Sequence, residues 1–143
     1  NTLVEKITNC VKGAALATGT TCEMNFYGNS FDDMKWNETG TALIAQVYDE
    51  LGIPHENGKP TDLGSSDIGN VSKICPAFHP TLRLKGDDKI CHTIGFAEAM
   101  TEPTIKTSIE EGASIIVKTL LHLMESPHTL EAIKTEFNGE NVK

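Results

Sequence analysis

The sequence predicts an α/β fold, and three observations lead to that prediction. Apolar residues recur every three or four positions in four separate stretches, which is typical of amphipathic helices. Between the first two of these stretches, residues 20–27 alternate apolar and polar side chains, as a strand with one solvated face does. Residues 75–84 also favour an extended conformation, although Pro76 and Pro80 exclude a central position in a sheet.

The first helix and the alternating segment belong together at the start of the chain. Residues 1–18 predict an amphipathic helix, and Gly19 follows it where a left-handed C-terminal cap belongs. The predicted strand over residues 20–27 comes directly after this glycine. One helix and one strand offer too little apolar surface to be stable alone.

Three more helices are predicted in the rest of the chain. The second begins after the capping residue Asn37 and ends at Gly52. The third has its start signals at Thr101–Pro103 and runs to about Glu125, and the fourth begins at Ser126. The residues that we expect to face the core are Leu43, Ile44, Val47, Tyr48 and Leu51 in the second helix, Ile105, Ile109, Ala113, Ile116, Val117, Leu120 and Met124 in the third, and Leu130, Ile133 and Phe137 in the fourth.

The composition argues against two classes of protein. The 143 residues include 20 acidic and 12 basic side chains, a net charge of −8, whereas nucleic-acid binding needs clustered Lys and Arg. No apolar run is long enough to span a membrane, and a polar N-terminus with Glu5 is unlike a signal peptide. The four cysteines are widely spaced in a chain long enough to build a core, so we expect reduced thiols and a cytoplasmic protein. The missing initiator Met suggests part of a longer protein.

Groups able to bind metal or move protons are densest between Gly64 and His92. His92 could ligate zinc, act as a general base, or be an ordinary surface histidine. His79 lies in the predicted extended segment. It could belong to a site, or it could be a packed strand histidine with one nitrogen hydrogen-bonded. Arg83 could bind a substrate carboxylate through two hydrogen bonds, or could be an exposed charge on the same segment.

Two further features of this stretch have competing interpretations. Asp67 follows Ser66 in a turn, where it could hydrogen-bond the backbone or orient a metal ligand or a substrate group. Cys75, Cys91 and His92 could supply three zinc ligands, but they lack the short paired spacing of a structural zinc site. The sequence contains no phosphate-binding loop, dinucleotide-binding fingerprint, serine-hydrolase elbow or HExxH zinc motif. The residues alone therefore leave the chemistry open.

Three segments of the chain resemble one enzyme family. GSSDIGNVSKICPAFHP at residues 64–80, the CHT at residues 91–93 and the helix beginning at Thr101 resemble the C-terminal catalytic portion of the aminoacylase and carboxypeptidase-G-type zinc amidohydrolases, in their dipeptidase-like branch. KGAALATGTTCEMNFYG at residues 12–28 resembles the closing helix and strand of that family's lid, or dimerisation, domain. The resemblance implies that residues 1–29 end an α+β lid and that residues 30–143 are the C-terminal part of a three-layer αβα catalytic domain.

The resemblance also implies an activity and roles for particular residues. Family members hydrolyse an amide bond of an N-acyl amino acid, a dipeptide or an aminobenzoyl-glutamate, with two zinc or manganese ions that activate a water molecule. It assigns a metal to His92, places Ser66 and Asp67 in the cleft, and places His79 and Arg83 near the substrate. It further implies a homodimer formed through the lid domain.

The sequence departs from the family pattern in one important respect. The other metal ligands and the catalytic glutamate of the family lie in an N-terminal half that this sequence does not contain, and Glu110–Glu111 lie in a predicted helix. We therefore expect the chain by itself to be inactive and to require the missing N-terminal half. The alternative is a non-catalytic interaction or binding module that retains the fold.

Overall fold

The computed structural model describes residues 2–56, 58, 64–84, 90–101 and 103–139, and all the regular structure within them is helical. Its helices are α1 (Thr2–Thr18), α2 (Glu38–Leu51), α3 (Ile68–Ser72), α4 (Ile94–Ala99), α5 (Thr104–Glu125) and α6 (Pro127–Phe137). The chain divides into two compact units, Asn1–Ser30 and Phe31–Lys143. Their identity as the end of a lid and part of a catalytic domain stays a prediction. No helix in the described ranges is long and apolar enough to cross a membrane.

In the first unit the predicted helix is present and the predicted strand is not. Gly19 follows α1 with a φ of 68°, the left-handed conformation expected of a C-terminal cap. Residues 20–27 are irregular and exposed, so the strand predicted there is not formed in the structure. A strand is stabilised by backbone hydrogen bonds to a neighbouring strand, and the described residues contain no strand to pair with. The three-layer αβα arrangement stays a prediction.

The core of the second unit lies where α2, α5 and α6 pack together. Its buried cluster consists of Val47, Tyr48, Ile53 and Ile115. Ile44, Leu51 and Leu82 pack around that cluster. The inner face predicted for α2 is therefore confirmed, and both α5 and α6 pack against this helix.

Side chains from two helices hold the N-terminus of α2. The Asn37 side chain accepts a hydrogen bond from the Gly40 backbone N–H at 2.9 Å, which confirms the predicted cap. Its amide also donates to the Ile133 carbonyl oxygen on α6 at 2.9 Å. Glu136 of α6 accepts from the backbone N–H groups of Glu38 and Thr39. Burial favours a higher pKa for Glu136, but the hydrogen bonds from Thr39 and Glu38 outweigh it and lower that pKa.

The face that α5 buries differs from the predicted one. Ser108 and Ile115 are buried, whereas Ile109 and Ile116 of the predicted stripe are 64% and 62% exposed. The helix is apolar around much of its circumference, so its sequence period alone does not identify the side that meets α2. It also begins at Thr104, just after the start signals predicted at Thr101–Pro103. Glu102, the middle residue of those signals, lies outside the described residues.

The C-terminal part of α2 is tied to α5 by a charged cluster. Glu50 accepts from Lys118 Nζ at 2.7 Å, contacts His122 Nε2 at 3.0 Å, and accepts from Gln46 at 2.7 Å. These hydrogen bonds, led by that from Lys118, lower the pKa of Glu50 to about 2.

This cluster predicts a specific acid sensitivity. A carboxylate with a lowered pKa in the folded state stabilises the fold above its unfolded pKa of 4.5, and this stabilisation is lost as the pH falls toward about 2. We expect Glu50→Gln to reduce the difference between the urea unfolding midpoints at pH 6 and pH 3. Glu131→Gln, which neutralises an exposed glutamate on α6, is the control and should leave that difference unchanged. Equal acid sensitivity of wild type and Glu50→Gln would contradict the assignment.

Candidate functional site

Ser66 and Asp67 form the turn that leads into α3. The Ser66 hydroxyl accepts from the Ile68 backbone N–H at 3.4 Å and donates to the Asp67 carboxylate at 3.4 Å. The Asp67 carbonyl oxygen accepts from the Asn70 N–H at 3.0 Å, which starts the helix. Asp67 occupies the N-cap position without a side-chain cap bond, and it is exposed. The backbone thus fixes this turn while its carboxylate faces solvent.

Gly69 and Asn70, the first two residues of the GNVS sequence, bring α3 against the backbone of residues 32 and 33. Gly69 is buried, and a Cβ atom at this position would clash with the carbonyl oxygen of Asp32 and lie 2.8 Å from its carbonyl carbon. The Asn70 side chain accepts from the Asp32 backbone N–H at 2.9 Å. A glycine at position 69 is therefore required by the close approach of two backbones.

The following residues extend the same contact, and we call Gly69, Asn70, Ser72 and Lys73 together the α3 clamp. Ser72 is 1% exposed, accepts from the Lys35 backbone N–H at 2.8 Å and donates to the Gly69 carbonyl at 2.6 Å. The Lys73 ammonium lies 3.1 Å from the Asp33 carboxylate. The clamp holds the first residues of the second unit against α3, and so positions the Ser66–Asp67 turn. The sequence did not indicate the role of the GNVS residues, because the residues that they contact lie 37 to 40 positions earlier in the chain.

The segment that carries His79 and Arg83 is fixed along α2. The Phe78 ring packs directly over Gly40, where a side chain would collide with it. The Tyr48 hydroxyl donates to the Thr81 carbonyl oxygen at 3.0 Å. With these anchors in place, His79 and Arg83 are both exposed. Residues 76–84 belong to no helix or strand, and the extended conformation predicted for residues 75–84 stays a prediction.

His92 has an unusual backbone conformation. Its φ is 66°, and it is the non-glycine residue with a positive φ in the described part of the chain. Thr93 follows as the N-cap of α4, where its hydroxyl accepts from the Phe96 N–H at 3.2 Å and donates to the Ile90 carbonyl at 2.7 Å. Left-handed backbone at a histidine is uncommon and is often found at functional sites. The imidazole is exposed beside this short helix, which the sequence did not predict because six residues carry little periodicity.

The predicted site residues do not assemble into a metal centre within the described residues. Among those residues, no three His, Cys, Asp or Glu side chains form a group that could hold a metal ion. All four cysteines, including Cys75 and Cys91, are unpaired and exposed. His92 is thus a single potential ligand, and the residues described do not by themselves fit one zinc ion or a pair of ions. The structure brings Ser66 together with Asp67, and sets His79 and Arg83 on one exposed segment.

Comparison with characterised proteins identifies dipeptidases as relatives of the chain. The Xaa-Arg dipeptidase of Mus musculus is 28% identical over 138 residues, which cover 94% of this chain and 32% of that protein. The Xaa-Arg dipeptidase of Homo sapiens is 28% identical over 139 residues, which cover 94% of this chain and 31% of that protein. The chain therefore spans about a third of the length of these curated relatives. No family model matches the sequence.

These relatives support the predicted resemblance at a coarse level. A peptidase or amidohydrolase relationship is supported, since nearly the whole chain aligns with proteins named as dipeptidases. The narrower assignment to the aminoacylase and carboxypeptidase-G-type branch stays a prediction. So do the roles of Ser66, Asp67, His79, Arg83 and His92.

Proposed function

We propose that this chain is the C-terminal part of a metal-dependent peptidase that hydrolyses the amide bond of a dipeptide or an N-acyl amino acid. The observation that supports the proposal is its similarity, over 94% of its length, to the Xaa-Arg dipeptidase of Mus musculus. The match covers 32% of that relative, so the part of the relative that is not matched is about twice as long as this chain.

We propose that the substrate is a dipeptide with a basic C-terminal residue. The names of the two relatives support this choice, and so does the charge of the chain, because an excess of eight negative charges attracts cationic substrates. Arg83 is the single arginine of the sequence, and in this proposal its guanidinium binds the substrate carboxylate. Ser66 and Asp67 line the cleft, and His79 lies at its substrate end.

In this proposal His92 supplies one metal ligand. Zinc or manganese, when bound, would activate the water that attacks the amide. The described residues do not complete such a site, so the remaining ligands and the general base belong to the rest of a longer protein. The 143-residue chain alone is then inactive, and a homodimer, if formed, uses the lid domain.

The test compares the longer gene product with the isolated chain. Both are incubated with dipeptides that end in arginine, lysine, leucine or glutamate, with N-acyl amino acids and with aminobenzoyl-glutamate. We expect turnover by the longer protein alone, with kcat/KM at least about tenfold higher for the basic dipeptides than for the leucine analogue. Turnover by the isolated chain would contradict the proposal that the remaining metal ligands and the general base lie elsewhere in a longer protein. Binding of these substrates without hydrolysis by the longer protein would favour the non-catalytic module.

A further inference from the structure

Two apolar contacts attach the segment that carries His79 and Arg83 to α2. The Phe78 ring packs over Gly40 in the first turn of α2, where an added Cβ atom would collide with the ring. Leu82 packs against the buried cluster of the second unit, which includes residues of α2. Because apolar contacts are non-directional, they fix the position of a segment along a helix less sharply than a hydrogen bond does.

A hydrogen bond lies between these two contacts in the chain. The Tyr48 hydroxyl donates to the Thr81 carbonyl oxygen at 3.0 Å. Thr81 is two positions from His79 and two positions from Arg83, which the proposed function places at the substrate. A hydrogen bond depends on both distance and angle, so this contact determines where residues 79–83 lie along α2. Displacing a substrate-binding group by about 1 Å can lower activity by as much as about 100-fold.

Tyr48 is itself held firmly in the core. The residue is 5% exposed and belongs to the buried cluster of the second unit. The His55 ring lies 5.3 Å from the Tyr48 ring, measured between ring centres, at an interplanar angle of 59°. Burial raises the pKa of Tyr48, so its hydroxyl stays protonated and able to donate at neutral pH. A fixed aromatic ring thus presents a permanent hydrogen-bond donor to the segment.

We propose that Tyr48 is a positioning residue for substrate binding, whose hydroxyl holds the Thr81 carbonyl and thereby places Arg83 at the carboxylate of the dipeptide. This inference rests on the proposed function, which assigns the substrate carboxylate to Arg83. It goes further because it adds a residue that touches no substrate and names the bond through which that residue acts. The alternative is a hydroxyl that serves only the stability of the core, since a buried tyrosine normally finds a hydrogen-bond partner.

The first test removes the hydroxyl and keeps the aromatic ring. Tyr48→Phe is made in the longer protein, with Tyr27→Phe as the control at the second, fully exposed tyrosine of the sequence. We expect Tyr48→Phe to raise KM for a dipeptide that ends in arginine about 5- to 10-fold, the effect of one lost hydrogen bond. Its kcat should change by less than about twofold, because contacts made equally in the ground state and the transition state affect KM alone.

A purely structural role for the hydroxyl gives a different result. Loss of core stability alone would reduce the folded fraction of the enzyme, which lowers kcat at constant KM, and that result would contradict the proposal. Tyr27→Phe should leave both constants unchanged, because its hydroxyl lies in solvent.

The second test asks whether Tyr48 acts through Arg83. Arg83→Ala in the longer protein should raise KM more than Tyr48→Phe does, because it removes the group that binds the substrate carboxylate. Adding Tyr48→Phe to Arg83→Ala should then raise KM by less than about twofold further, since a positioning residue has no effect once the residue that it positions is absent. If the two effects multiplied in full, Tyr48 and Arg83 would act independently and the proposal would be wrong.

Proteolysis tests the Tyr48–Thr81 contact independently of catalysis. Arg83 is the single arginine of the 143-residue chain, so an arginine-specific protease has one possible cleavage site in it. We expect cleavage after Arg83 to be about fivefold faster in Tyr48→Phe than in wild type, because cleavage follows the population of the opened segment. Equal cleavage rates would show that the hydroxyl does not hold the segment, and would overturn the inference. Faster cleavage together with a longer protein that hydrolyses no dipeptide would refute the proposed function and leave the contact standing.

Discussion

Replacing His92 by glycine should abolish the activity of the longer protein without weakening the fold. Histidine here has a φ of 66°, a conformation that glycine adopts without steric cost. A left-handed non-glycine residue costs on the order of 1 kcal/mol or more, so the isolated chain should be as stable as wild type or slightly more stable. If His92 is a metal ligand, as proposed, its loss should lower kcat/KM at least about 1000-fold, beyond the 10- to 100-fold typical of residues that only orient ligands.

Measurements of metal content and stability separate the two interpretations of His92. Inductively coupled plasma analysis of the longer protein should show fewer metal ions per chain in His92→Gly than in wild type. His79→Gly, at another exposed histidine in the same unit, is the control and should retain the metal. If His92→Gly kept both its metal and its turnover, the histidine would be an ordinary surface residue.

The combination of strain and exposure at His92 could not be read from the sequence. The letters CHT indicated a candidate ligand, but nothing in them predicted a left-handed residue followed by a capping threonine and a short helix. The structure adds an energetic argument, because a left-handed backbone at a non-glycine residue is sterically costly. The role of His92 stays a prediction.

Local sequence signals predicted the ends of α2. The buried side of α5 and the conformation of residues 20–27 depend on contacts that are distant in sequence. Asn37 and Gly52 bound α2 as expected, because a cap depends on residues within one turn. The buried side of α5 depended on where α2 lies, so the predicted stripe through Ile109 and Ile116 was wrong. The strand predicted over residues 20–27 needs a partner that the described chain does not contain.

The GNVS sequence has a structural role next to the Ser66–Asp67 turn. Its residues contact the backbone of Asp32 and Lys35, immediately after the boundary between the two units. Ser72 is almost fully buried, so its hydroxyl has no access to a substrate. The clamp instead determines where the Ser66–Asp67 turn lies relative to the start of the second unit. We therefore expect substitutions in the α3 clamp to lower the stability of the fold, and to change activity only by displacing the Ser66–Asp67 turn.

Gly69→Ala is expected to be the most destabilising single substitution in this region. The added methyl group would overlap the Asp32 carbonyl, and a backbone atom cannot rotate away as a side chain can. Overpacking of this kind costs about 1 to 3 kcal/mol. Separation of α3 would also lose the Asn70 and Ser72 hydrogen bonds, each contributing about 1 kcal/mol. We expect a total loss of about 3 to 5 kcal/mol in the free energy of unfolding.

The same stretch provides a matched control for this substitution. Gly64 lies five residues earlier in the same motif, and a Cβ atom there has no neighbour within 4 Å. Gly64→Ala should therefore be neutral or slightly stabilising, by at most about 1 kcal/mol. Asn70→Ala should fall between the two, because it removes one hydrogen bond and introduces no clash. Urea unfolding of the three variants should give this order, and equal stabilities of Gly69→Ala and Gly64→Ala would show that α3 does not pack against Asp32.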